Sequence, residues 1–383
     1  MPWERRTVEE MRGAFIREVK EGNESKSALC QKYKISRPTG DKWLKRDAEG
    51  KGLSDQSRTP LHQPGKTPEE QERQILALRK KYPGMGAKKI KRILENQGEC
   101  MPSATTVNNI LKRNGCITPE ASQANHRPIR FEMEQPNDMW QADFKGHRRM
   151  ENGKRCHPLN LLDDCARFCL CSDANESEQL EPTKRSFERV FLEYGLPRRL
   201  LCDNGNPWGT SQSVGYTKFE VWLLELGVQP VHGRIRHPQT QGKQERFNGS
   251  LERELLRYTT YHNFQDAQRK LDEYRHFYNH IRPHEALGMR TPAQVYTPST
   301  RPMPRLILPW EYEQGEVRKV KSTGFLTCFS QGFFLSEAFA DKIVCIVPDP
   351  DIDGRFNIVF RQFRIASIDL IERCVISRRI TCM

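Results

Sequence analysis

The sequence contains no run of apolar residues approaching the roughly 20 that a bilayer span requires. Its opening stretch, Met1-Pro-Trp-Glu-Arg-Arg, is polar and has no apolar segment of the secretory-leader type. No membrane partner and a cytoplasmic location are the resulting expectations. Close cysteine pairs are scarce as well. The 12 cysteines are scattered through 383 residues, too sparsely for a disulfide scaffold. The tightest group, Cys165, Cys169 and Cys171, has no second close pair to complete a zinc set. These thiols read as buried in an apolar strand. Negative charge is in deficit: 62 Lys and Arg face 49 Asp and Glu, a net charge of +13.

That surplus makes a polyanion the expected partner, because basic surface draws phosphate through counterion release. It is unevenly spread. Residues 1–125 carry 25 Lys and Arg against 16 Asp and Glu, a surplus of 9, and the remaining two thirds carry only 4. DNA contact is therefore expected mainly at the N-terminal end. A ribosomal or chromatin protein could share this bias, so charge alone does not select a function.

The length suits roughly two to four domains. Residues 8–48 read as a small helical unit. Met11, Phe15 and Val19 recur every four residues, the period of one helical face. A short second helix over 27–33 follows, then the turn Lys34-Ile35-Ser36, with Ser36 a good N-cap and Pro38 tolerated in the next first turn. Packing Trp43 and Leu44 on Ala28, Leu29 and Ile35 would leave Arg37, Thr39, Lys42 and Arg46 outward. Helix, tight turn and polar-faced helix is the helix-turn-helix plan, whose second helix enters the major groove; a plain three-helix bundle with a basic surface is the alternative. Residues 50–67 have Gly, Pro and Ser without periodicity, the mark of a linker. Helices resume over 68–82, 87–96 and 103–113, lined by Ile75, Leu76 and Leu78, by Ile90, Ile93 and Leu94, and by Val107, Ile110 and Leu111. This second unit, 68–116, would present Lys88, Lys89, Lys91 and Arg92 at its surface. Residues 117–136 form another linker.

From Asn137 short apolar runs alternate with helical stretches, the pattern of an α/β domain. Strands are expected over 139–144, 158–162, 167–171 and 199–202, and helices over 183–194, 218–226, 241–258 and 264–279. After 300 the helices stop. Short strands over 324–329, 332–335, 343–347 and 356–360, joined by turns such as Asp353-Gly354, suggest a small all-β, barrel-like module.

Three acidic residues stand at element ends in the α/β region. Asp143 ends the first strand, Asp203 follows Leu200-Leu201-Cys202 and precedes Asn204-Gly205, and Glu245 lies in the first turn of a helix. The intervals are 59 and 41 intervening residues, which adjacent strand ends and a packing helix can bridge. Such a set suits phosphodiester cleavage. Negative charge builds on the attacking and leaving oxygens, and two divalent ions about 3.5–4 Å apart stabilise both. Magnesium takes hard oxygen ligands and keeps several waters. Taken singly, each residue has an ordinary explanation: a turn for Asp203, a helix-dipole contact for Glu245, a strand end for Asp143.

Together with their neighbours they identify a resemblance. Trp140-Gln-Ala-Asp-Phe, Leu162-Asp-Asp-Cys-Ala-Arg-Phe, Asp203-Asn-Gly, His237-Pro-Gln-Thr-Gln-Gly-Lys-Gln-Glu-Arg-Phe and Tyr278-Asn-His-Ile-Arg-Pro-His-Glu-Ala-Leu resemble the strings of bacterial insertion-sequence transposases with a retroviral-integrase-type, or DDE, catalytic core. The resemblance spans nearly the whole chain. It implies a multidomain fold: N-terminal helix-turn-helix units (1–49 and 68–116, the second winged-helix-like), an α/β ribonuclease-H-like core over 137–300 and a small β-barrel-like domain over 301–383. It further implies Asp143, Asp203 and Glu245 as ligands of two Mg2+ ions, with Mn2+ as a substitute. Water would release a 3′-hydroxyl at each end of a mobile element, and that hydroxyl would join target DNA without a covalent protein intermediate. The partners implied are double-stranded DNA and further copies of the chain, at least a dimer, on a bacterial nucleoid.

The interval between Asp203 and Glu245 is longer than is common in that superfamily, and 207–217 is the expected place of the surplus. Asp164 is read as a structural neighbour, since Asp143, Asp203 and Glu245 already fill the pattern. Lys243 and Arg246 flank Glu245 where a phosphate could lie; a solvated helix face is the other reading. Phe247, Leu251 and Leu255 are assigned to the core and His237 to a loop. Arg282 and His284 could serve DNA or hold a helix end. A DNA-binding regulator derived from a transposase, and a nuclease of the same fold, are the competing functions.

Overall fold

The computed structural model describes residues 7–55, 67–117, 133–203, 205, 207–209, 215–232, 242–377 and 380–382. The chain divides into two compact units, 1–66 and 67–383. The first holds α1 (Val8–Glu21), α2 (Lys26–Lys32) and α3 (Arg37–Ala48). Thr7 and Glu10 form a capping box at α1, Ser25 caps α2, and Ser36 caps α3 with Pro in its first turn. Phe15, Ile16, Leu29, Cys30 and Trp43 are the core. Met11, expected inside, is exposed because it lies in the first turn of α1, before the buried stretch Ala14, Phe15 and Ile16. Gly40 lets α3 close on this core: a Cβ there would sit 3.0 Å from both Cys30 Sγ and Phe15 Cζ.

The second unit opens with α4 (Glu69–Lys81), α5 (Ala87–Asn96) and α6 (Ala104–Arg113). A mixed sheet follows, built from β1 (Met139–Phe144), β2 (Arg148–Arg149), β3 (Arg155–Asp163), β4 (Cys169–Asn175), β5 (Arg199–Cys202) and β6 (Gln229–His232). Its order is β2-β3-β1-β5-β6, with β4 on β3. The strand pair β1–β3 is antiparallel, whereas β1–β5 and β5–β6 are parallel. The parallel pairing of β1 and β5 sets their C-terminal ends at one edge of the sheet. Two helices, α7 (Leu180–Tyr194) and α8 (Lys218–Glu225), bury Phe187, Phe191, Phe219 and Trp222 against Trp140, Leu161, Leu170 and Leu200. Cys169 and Cys171 lie buried in β4, as their apolar context suggests, whereas Cys165 is half-buried in the turn before that strand.

Two further helices, α9 (Gly242–Glu254) and α10 (Phe264–His276), complete the α/β part. They do so together with α4–α6. Ile75, Ile90, Leu94 and Val107 join Phe247, Leu251, Leu271 and Phe277 in one continuous core. Tyr82 stacks on Phe277 with ring centroids 4.1 Å apart. At Gly84 an added Cβ would meet Glu254 Cγ at 2.9 Å.

Strands β7 (Glu316–Lys319), β8 (Phe325–Cys328), β9 (Gln331–Phe334), β10 (Ile343–Pro348), β11 (Arg355–Phe360), β12 (Phe363–Asp369), β13 (Cys374–Ser377) and β14 (Thr381–Cys382) form the C-terminal module. One sheet runs β13-β12-β11-β10-β7 with β14 on β12, beside a β8–β9 hairpin. Its core meets α8 through Val221 and Leu224, and Ser336 Oγ accepts from Tyr216 N at 3.0 Å. The architecture is thus helix-turn-helix units, a mixed-sheet core and an all-β end. No helix among the described residues is long and apolar enough to cross a membrane.

Candidate active site

Parallel register carries the site. Gln141 of β1 pairs with Leu201 of β5, so two residues further along, Asp143 and Asp203 leave the same sheet edge. Asp203 stands in a turn, its Oδ1 accepting from Gly205 N at 3.0 Å. His232, at the end of β6, uses Nδ1 on the Asp203 carbonyl and Nε2 on Glu220, each at 2.9 Å. Burial lowers the His232 pKa, but the Glu220 hydrogen bond and charge outweigh it, and the net movement is upward.

Asp143 is half-buried. Burial first, then the charge of Asp203, push its carboxyl up to about 6, against opposition from Asn248 and Lys145. The Nδ2 of Asn248, on α9, donates to Asp143 Oδ2 at 2.6 Å. Its Oδ1 accepts from Asn160 Nδ2 at 2.9 Å, and Asn160 Oδ1 accepts from Ser172 Oγ at 2.7 Å. A buried polar chain across β4, β3 and α9 therefore fixes one carboxylate oxygen. Glu245 is exposed in the first turn of α9, three residues before Asn248 and so near the same helical face. The charge of Asp203 reaches Asp143, and among the described residues no group of three His, Cys, Asp or Glu is placed to hold one metal ion. Mutual repulsion of uncompensated carboxylates disfavours such a group.

Lys243 does not face outward as the sequence suggested. It forms an ion pair with Asp164, whose side chain is 1% exposed. Asp164 also accepts from Gln141 Nε2 at 2.6 Å and Met133 N at 2.8 Å, which is the structural role expected of it. The neighbouring Asp163 is equally buried, accepts from Asn137 N at 2.7 Å and Ala166 N at 2.6 Å, and is pushed up to about 6 by burial. Arg246 is exposed. His237 lies outside the described residues. Arg282 grips Glu254 with Nε and Nη2 at 2.9 Å and donates to Ser250 Oγ at 3.1 Å. His284 is buried near it, with its pKa driven far down first by burial. Arg282 thus ties the segment after α10 to the end of α9.

On α3, Lys42 is exposed and lies 5.1 Å over the Trp43 ring, and Arg37 is exposed while donating to Ser27 Oγ at 2.5 Å. Thr39 is half-buried and pairs with Ser36 Oγ at 2.8 Å. Arg46 departs from expectation. Its Nη2 donates to the carbonyls of Lys51 at 3.2 Å and Ser54 at 3.1 Å, which turns it back on its own chain. In the second helical group Lys88 is exposed, but Lys89 is covered where α5 meets α9 and the segment after α10. Burial, with Arg282 nearby, lowers its pKa to about 8. A helix with an outward polar edge is found instead at α6. Val107, Ile110 and Leu111 face inward, leaving Thr105, Asn109 and Lys112 exposed behind the Ser103 cap. The inward spacing of those three apolar residues was the available signal for that edge.

Comparison with known proteins adds four family matches. An integrase core domain matches residues 133–238 and another integrase core domain 226–292. A helix-turn-helix domain matches 11–60 and a homeodomain-like domain 39–111. An uncharacterized 39.2 kDa protein of insertion element IS476 from Xanthomonas euvesicatoria is 26% identical over 217 residues, 57% of each chain. The transposase InsD for insertion element IS2D of Escherichia coli (strain K12) is 24% identical over 232 residues, 55% of this chain and 73% of that one. The chain thus spans a little over half the length of the first such relatives. A solved simian T-cell lymphotropic virus intasome, in complex with PP2A regulatory subunit B56 gamma, has a chain matching at TM-score 0.37 and 18% identity, over 75% of this chain and 96% of that one.

Proposed function

From a chain that belongs to the insertion-sequence transposases with an integrase-type core, we propose an enzyme that cuts DNA at the ends of a mobile element and joins the freed 3′-hydroxyls to target DNA. The reading rests on one observation above all. Two carboxylates, Asp143 and Asp203, converge from parallel strands at an open sheet edge, where burial and mutual charge raise Asp143 to about 6. An all-oxygen donor set with this unrelieved repulsion fits a hard divalent cation, which would remove the penalty.

Asp143, Asp203 and, after closure of the first turn of α9, Glu245 would hold two ions, magnesium with manganese as a substitute. When bound, these supply charge stabilisation for the attacking and leaving oxygens of a phosphodiester. The chain's own residues do the remainder. Asn248 fixes one oxygen of Asp143 and leaves the other free to ligate. Gly205 N and His232 hold the Asp203 turn. The ion pair between Lys243 and Asp164 anchors the first turn of α9, two residues before Glu245. DNA is held by the helical units: Arg37, Thr39 and Lys42 on α3, Lys88, and the edge of α6, with Arg246 beside the site. Two or more copies on DNA would bring two element ends together.

Supercoiled plasmid with manganese tests this reading without knowledge of the element ends. The parent should nick or join DNA, and Asp203→Asn should bind DNA yet leave it intact. Equal behaviour of the two, with binding retained, would favour a transposase-derived regulator.

A further inference from the structure

Next to the carboxylates lies a cavity of about 390 Å³. Its wall carries Lys145 and His147 from the β1–β2 turn, Arg148 and Arg149 from β2, Glu252 from α9, and Tyr261 beyond it. Thr259 adds a hydroxyl, while that of Thr260 donates to Glu151 at 3.2 Å. Three permanent cations thus meet one carboxylate, so the cavity is positive overall. Glu252 is already committed. Arg148 hydrogen-bonds to it and lowers its pKa, and Lys145 Nζ is 3.6 Å from its Oε2. The Arg149 side chain is exposed and makes no hydrogen bond or ion pair among the described residues. The Tyr261 hydroxyl is buried and has no hydrogen-bond partner among them, an unmet polar group of the kind that a ligand or water ordinarily satisfies.

The position of the cavity narrows what it would take. Lys145 is two residues along from Asp143, about 7 Å of extended chain, and its charge already reaches the Asp143 carboxyl. Whatever occupies the cavity is therefore the near neighbour of whatever reacts at Asp143. Guanidinium pairs, an ammonium and hydroxyl donors match phosphate oxygens. We propose that this cavity is a cradle for the DNA backbone, which seats phosphodiesters adjoining the one that is cut. Glu252 is its placeholder: it neutralises Arg148 and Lys145 in the free protein and yields them to phosphate when DNA arrives. The proposal rests on the reading of Asp143 and Asp203 as a DNA-cutting site.

The salt dependence of binding tests it, because each phosphate contact adds to the slope independently of contacts made elsewhere. Full-length parent, Arg149→Ala and Glu252→Gln are titrated with a short random-sequence duplex at several salt concentrations. Arg149 is the chosen cation because Arg148 also donates to the Leu256 carbonyl and its loss would disturb the fold. The expected results are a slope of log K against log salt reduced by about 0.9 in Arg149→Ala, and affinity raised about twofold to fivefold in Glu252→Gln. An unchanged slope in the first variant, or equal or weaker binding in the second, overturns the cradle. Plasmid cleavage by Asp203→Asn separates the two readings. A cradle failure with an inert Asp203→Asn leaves the cutting site standing. A reduced slope with a fully active Asp203→Asn leaves the cradle and removes the cutting site.

Discussion

Asn248 holds the geometry of the two carboxylates. One amide serves both ends of its side chain, donating to Asp143 and accepting from Asn160. Neither Asp nor Leu offers both. Asn248→Ala should leave a buried amide and a half-buried carboxylate unpaired and cost about 1–3 kcal/mol, measured as a lower urea midpoint. Asn248→Gln, with the same groups on a longer stem, should recover little of it. The acids stand out in the sequence as candidates, since each lies near the end of an element. Asn248 does not, because an Asn in mid-helix carries no periodic signal. Lys243 misled for a related reason: its partner Asp164 is 79 residues away in the sequence, and no local pattern reveals that the two would meet.

At the scale of elements, α5 has one buried face and one half-buried face. Ile90, Ile93 and Leu94 serve the three-helix group, and Lys89 is covered by a second contact near Arg253, Glu254, Arg282 and Glu285. A single helical stripe announces the first face and hides the second, which is why Lys89 read as surface. The burial has a consequence for stability. Folding lowers the Lys89 pKa from 10.5 to about 8. Between those values the unfolded chain binds the proton that the folded chain has released, so stability rises with pH across that window. Urea unfolding should show this rise between pH about 8 and about 10, and Lys89→Met should flatten it. The close approach at Gly84 is equally specific: Gly84→Val should cost about 1–3 kcal/mol through overpacking against Glu254 and Arg253. On α6, Asn109→Ala should weaken binding to the element end by about 1–3 kcal/mol and relax base preference there, whereas Lys42→Ala on α3 should weaken binding whatever the sequence. Equal affinity of either variant and the parent would remove that helix from the DNA interface. Strands β2, β6, β7, β12, β13 and β14 escaped sequence reading. All but β12 have four residues or fewer, and Gln229–His232 includes a Pro that ordinarily argues against a strand.

For the whole molecule, charge and fold agree in direction. The cationic excess lies in the first third of the chain, which folds as helices, while the carboxylates lie in a nearly balanced core. On the proposed reading at least two copies act together on DNA, so light scattering should report a monomer-to-multimer shift when end-bearing DNA is added. At the centre, Asp143, Asp203 and Glu245 are proposed to form one cation site. Manganese binding, followed by calorimetry in parent, Asp143→Asn and Glu245→Gln, tests it most directly. The prediction is two ions per chain in the parent, loss of binding in Asp143→Asn and at least about tenfold weaker binding in Glu245→Gln, a difference of about 1.4 kcal/mol. Glu245→Gln binding manganese as tightly as the parent would contradict it.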